Sequence, residues 1–138
     1  MLTALAPFLL LAPAEPPNPD WNCDEPLRQQ EMNWCAAQDY EEADRALNAQ
    51  WRTAAREAKE RDRQRSEAER EHDPRPGHFA SLLEAQRAWL AFRNAHCRLE
   101  GYVFRGGSAE PMVRSACLAA LTRARTAQLR EIAANFGA

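Results

Sequence analysis

An all-α fold is what this 138-residue chain predicts: an antiparallel three-helix bundle with a long charged helical arm, stapled by two disulfides. Three observations carry that reading. Apolar residues recur every three or four positions along most of the chain. Almost no stretch alternates with the period of two that a half-buried strand shows. Four cysteines stand where such a bundle would gather them at one end.

Residues 1–14 read as a leader. Leu2, Leu5, Phe8, Leu9, Leu10 and Leu11 supply its apolar content, and Ala12-Pro13-Ala14 sets small residues where a signal peptidase reads. A signal peptide cut after Ala14 is expected, although no Lys or Arg precedes the apolar run. Spanning a bilayer takes roughly 20 apolar residues, so no membrane anchor is expected from so short a run. Residues 15–22 form a Pro-rich linker, held extended by Pro16, Pro17 and Pro19. The helical domain is assigned to residues 23–137.

A first helix is expected from Leu27, because Met32, Ala36, Tyr40, Ala43, Leu47, Trp51 and Ala54 share one stripe. Asp24 is its expected N-cap, with Pro26 tolerated in the first turn. Past Ala55 the stripe gives way to charge over residues 56–71, where pairs such as Glu57 and Arg61 keep helical i,i+4 spacing. A helix unbroken from Leu27 to Glu71 would run about 67 Å against about 30 Å for the next one, so its charged half should project as an arm. Asp73-Pro74-Arg75-Pro76-Gly77 ends it.

Ser81-Leu82-Leu83-Glu84 reads as a capping box opening a second helix. That helix carries Leu82, Leu83, Gln86, Trp89, Leu90, Phe92, Arg93 and Cys97 to a C-cap at Gly101. Tyr102-Val103-Phe104 is the one hint of extended chain. A third helix begins near Ser108 to Pro111 and runs through Met112, Cys117, Leu121, Leu129 and Ile132 to Asn135-Phe136-Gly137. The short second connection makes neighbouring helices antiparallel.

Such packing brings the start of helix one, the end of helix two and the start of helix three to one pole. Cys23, Cys35, Cys97 and Cys117 all fall there. Locality favours Cys23 with Cys35 and Cys97 with Cys117, while the crossed pairings stay open. Disulfides behind a leader point to the periplasm or the exterior. No C-x-x-C occurs, and His72, His78 and His96 are scattered, so no zinc or other metal site is expected.

The net charge of −2 conceals a polarity. Residues 15–50 hold nine acidic against two basic side chains, residues 51–75 seven against eight, and residues 76–138 four against eight. Arg114, Arg123, Arg125 and Arg130 on the third helix could touch nucleic acid, but export and overall acidity exclude it as a partner. No nucleophile with a base, no paired carboxylates in a cleft and no phosphate cradle stand out, so no enzyme and no cofactor are expected. Trp89 and Arg93, one turn apart, read as a core aromatic beside a paired cation. Aromatics on a connection suit recognition, which singles out Tyr102, Phe104 and Arg105 ahead of Gly106-Gly107; folding back to cap the core end is the other role open to them.

Several segments together resemble a known family. They are Glu31-Met32-Asn33-Trp34-Cys35-Ala36, then Tyr40, Asp44 and Leu47-Asn48, and then residues 85–93 with Cys97. Gly106-Gly107-Ser108, Cys117-Leu118, Leu121-Thr122 and Arg125-Thr126 complete the set. In order and cysteine framework they resemble the lysozyme inhibitor LprI-like N-terminal domain family over about residues 22–130. The family's namesake is lipid-anchored; no lipid-attachment cysteine follows this leader, so tethering is not carried over.

The resemblance implies an exported protein that binds a protein partner, a lysozyme-type muramidase, and inhibits it by occluding the substrate cleft. The acids of helix one, Glu41, Glu42 and Asp44 among them, would steer a cationic enzyme, and the Tyr102, Phe104 and Arg105 loop would plug its groove. A different class of role is an envelope adaptor, or a self-associating module, that works through the charged arm.

Overall fold

The computed structural model describes residues 17–137, Pro19 excepted. The leader, and residues 15, 16 and 19 of the Pro-rich linker, therefore lie outside the described residues. Four α-helices follow in order: α1 (Gln29–Gln64), α2 (Glu67–His72), α3 (His78–Gly101) and α4 (Glu110–Gly137). A single 3-10 turn, Tyr102–Phe104, leads out of α3. Among the described residues there is no strand, so the expected extended segment at 102–104 is helical instead. The three long helices form the expected bundle, α3 antiparallel to both others, with α1 and α4 running side by side in the most extensive contact.

Small residues explain that contact. Ala43, Ala54 and Ala58 of α1 and Ala119 and Ala133 of α4 are all buried, letting the two backbones approach. Leu47, Leu82 and Leu129 fill the space between them, with Trp51, Phe79, Trp89, Ile132 and Phe136 packed around. Nearer the other end, Cys97, Cys117 and Leu118 form a second cluster beside Tyr40 and Leu121. Both local disulfides are present: Cys23 with Cys35 (Cα–Cα 5.5 Å) and Cys97 with Cys117 (5.4 Å).

Helix starts depart from local expectation. Asp24 lies in a bend and α1 opens at Gln29, leaving Leu27 86% exposed and not part of the core stripe. The Glu31 carboxylate organises this entry by accepting N–H bonds from Asn22 (2.5 Å), Leu27 (3.0 Å) and Arg28 (3.3 Å). Those donors hold its pKa below the usual carboxylate range, Asn22 contributing most and Leu27 next. Trp21 packs on Trp34, ring centroids 6.2 Å apart, and fastens the arm to α1.

The charged half of α1 stays helical through Gln64 but does not overhang the bundle. Asp62 caps α3 from a distance of sixteen residues, accepting the N–H groups of His78 (2.7 Å) and Phe79 (3.0 Å). A Cβ at Gly77 would meet Asp62 Oδ1 at 2.7 Å, so a larger residue there would push the capping carboxylate aside. Lys59 lies 4.4 Å over the Phe79 ring. The chain breaks at Arg65 because Ser66 and Glu69 form a reciprocal capping box that opens α2. The long reach expected of one helix is thereby folded into a helix, a break and a short return.

Candidate protein-binding surface

Around the pole marked by the disulfide of Cys97 and Cys117, the Tyr102–Phe104 turn is fastened from several sides. Arg105 N–H donates to Tyr102 O (3.1 Å), and Gly107 N–H donates to Phe104 O (2.7 Å). Gly106 takes φ +77°, a left-handed conformation that an L side chain resists, and its N–H donates to Glu110 Oε2 (2.7 Å). Asn33 of α1 reaches across to Ser108 O at 2.9 Å. Backbone groups are thus satisfied within the loop, while side chains point outward. Val103 is 78% exposed, Phe104 48% and Tyr102 36%, and the Arg105 guanidinium lies 4.5 Å over the Tyr102 ring.

The acids singled out from the sequence have separate fates. Asp44 is half-buried, 3.4 Å from Arg93 Nη1, and accepts from Asn48 at 3.1 Å. Asp39 forms a fork with Arg123 of α4, whose hydrogen bonds hold the Asp39 carboxyl below its usual range. Glu41 and Glu42 are exposed and carry no ion pair among the described residues. Glu42 borders a shallow groove of about 280 Å³ with Arg123, Thr126 and Arg130. The acids sit on α1 and the aromatic turn follows α3; no hydrogen bond or ion pair joins the two sets among the described residues.

Arg93 itself is buried, and Asp44 is the carboxylate partner expected of it. Its guanidinium lies between the rings of Trp89 (5.0 Å) and Tyr40 (5.4 Å) and donates to Thr122 Oγ1 at 3.0 Å and Asn94 Oδ1 at 3.2 Å. Sequence reasoning placed Val103 in the loop without choosing it as a binding residue and missed Leu27; these are the two most exposed large apolar side chains among the described residues. Val103's place in a loop was the available signal; Leu27 was absorbed into a stripe that begins one turn later.

Chemistry elsewhere is sparse. His96 and Glu100 stand near Cys117, but that sulfur is bonded to Cys97 and offers no thiolate ligand. A cleft of about 730 Å³ at the opposite pole is walled by Leu82, Ala85, Ile132 and Phe136. His78 lines it with Nδ1 3.1 Å from Asp62 Oδ1, and Ser81 is close by. No hydrogen bond joins Ser81 to the His78 ring among the described residues, so the nucleophile-to-base contact of acyl transfer is not formed. No described helix is long and apolar enough to cross a membrane.

Fold and surface define a disulfide-stapled helical bundle that displays an ordered apolar turn. The family model described as lysozyme inhibitor LprI matches residues 23–129, and the chain belongs to that family. It is also 39% identical over 136 residues to "Uncharacterized protein R02472" of Rhizobium meliloti (strain 1021), covering 95% of this chain and 96% of that protein. No solved structure matches it.

Proposed function

We propose that this protein inhibits a lysozyme-type muramidase by seating the Tyr102–Phe104 turn in the enzyme's substrate cleft. The supporting observation is the turn itself, three exposed apolar side chains on a loop already ordered by its own hydrogen bonds. Preorganisation lowers the entropic cost of docking, and aromatic side chains in a pocket supply much of a protein interface's affinity. Muramidases cleave with two carboxylates across a sugar-binding groove. Arg105, next to the aromatics, supplies a cation toward those carboxylates, while Glu41 and Glu42 face the cationic remainder of such an enzyme.

The site of action is the periplasm or the exterior, after removal of residues 1–14. Two disulfides fit that compartment, and the linker of residues 15–22 ends docked on α1 through Trp21 and Asn22.

The test is peptidoglycan hydrolysis by purified muramidase at low ionic strength with the mature protein at micromolar concentration. Inhibition is expected, and Tyr102→Ala with Phe104→Ala should weaken it by roughly thirtyfold or more, the loss of a hot spot of about 2 kcal/mol. Hydrolysis that proceeds unchanged discards the reading.

A further inference from the structure

Helix α3 presents two faces of different character. Leu82, Gln86, Arg93 and Cys97 are buried in the bundle. On the far side, Ser81, Ala85, Ala88, Phe92, Ala95 and Leu99 follow one another at intervals of four, three, four, three and four, and all six are exposed. That alternation is the seam of a coiled coil, with Ala85, Phe92 and Leu99 at the a positions. The solvent face of a bundle helix is ordinarily charged, yet no charge interrupts these positions. Phe92 is 55% exposed and Leu99 65%.

We propose that a second copy of the chain covers this seam, α3 against α3 in antiparallel register about a two-fold axis level with Leu90. Size complementarity selects that arrangement. In antiparallel layers each a residue meets a d residue of the other copy, which sets Phe92 on the partner's Ala88 and Leu99 on the partner's Ser81. A parallel pair would oppose Leu99 to Leu99 and Ala85 to Ala85, leaving gaps between the large layers.

Charge selects the same register. Glu84 and Arg98 lie fourteen residues apart, at the same g position two heptads removed, and neither has an ion-pair partner among the described residues. An antiparallel two-fold keeps g beside g, so Glu84 meets the partner's Arg98 twice. Parallel pairing sets g beside e, which places Glu84 by the partner's Trp89 and Arg98 past the end of the partner helix, so neither ion pair forms. The register also carries the Tyr102–Phe104 turn to the level of the partner's His78, at the mouth of the 730 Å³ apolar cleft. A muramidase would thus compete with the dimer for that turn.

Sedimentation equilibrium on the mature protein alone tests this, independently of any inhibition. A monomer–dimer equilibrium is expected, and Leu99→Asp or Phe92→Asp should render the protein monomeric with an unchanged helical circular dichroism spectrum. Glu84→Arg and Arg98→Glu should each weaken the dimer roughly threefold to tenfold, and the double variant should restore it. Three results overturn the proposal: a monomer at several hundred micromolar, a dimer indifferent to the two aspartates, or a double reversal no tighter than the singles. A wild-type monomer that binds muramidase through residues sensitive to Leu99→Asp would assign the seam to the enzyme instead.

Discussion

Two carboxylates, Asp62 and Glu31, hold the chain's joints. Asp62 ties α1 to the start of α3 through two backbone N–H groups and the His78 ring. Partial burial pushes its pKa up, but the N–H groups of Phe79 and His78 and the ring outweigh that and hold it below the usual range. A depressed folded pKa means the contribution is full above the unfolded value and lost as pH falls through the folded one. Asp62→Ala should therefore cost about 1–2 kcal/mol at neutral pH in chemical denaturation, as losing an N-cap does. The deficit relative to wild type should shrink below about pH 4, where Asp62 of the unfolded wild-type chain takes up a proton before the folded one does. Glu31 does similar work for the N-terminal arm, with the same sign. Glu31→Gln should speed hydrogen exchange of the Asn22 and Leu27 amides, and wild type should approach that behaviour in acid. Unchanged exchange would mean that Trp21 and the first disulfide hold the arm unaided.

At the scale of elements, disulfides and helix ends show what a sequence can and cannot reveal. Cysteine placement was legible, because helix order and antiparallel packing alone bring the four positions to one pole. Replacing Cys97 and Cys117 by Ala opens a loop of about 20 residues and should cost about 3 kcal/mol, read from the denaturation midpoint. Leu129→Ala, deep between α1 and α4, should cost about 2–5 kcal/mol by leaving a cavity. Helix boundaries were less legible. Two S-x-x-E boxes occur, at Ser66 to Glu69 and at Ser81 to Glu84, and only the first starts a helix. The second lies one turn inside α3, since a carboxylate from another helix caps the chain earlier. Local pattern carries no trace of a partner sixteen residues away. The outer face of α3 was hidden for a related reason: apolar side chains occur on both its faces, and a single periodic count merges them.

For the molecule as a whole, charge balance sets how strongly a cationic partner is drawn in. By sequence the segment 15–50 is heavily acidic, and steering by a broad negative face follows from it. Folding spends much of that charge internally, because Asp39 meets Arg123, Asp44 meets Arg93, and Glu31 is occupied by backbone donors. The two arginines come from other helices, which is why the acidic face looked stronger in one dimension than in three. Glu41 and Glu42 are the acids of that face left to act at a distance. Paired charges largely cancel beyond a Debye length of about 8 Å at physiological salt. Association with a muramidase should accordingly slow only several-fold from low to physiological salt, well short of the largest steering effects. Glu41→Gln with Glu42→Gln should lower the association rate constant a few-fold and flatten its salt dependence, with dissociation unchanged. Stopped-flow measurements separate the two rates. A change confined to dissociation would place Glu41 and Glu42 in the contact itself, beside the aromatic turn instead of around it.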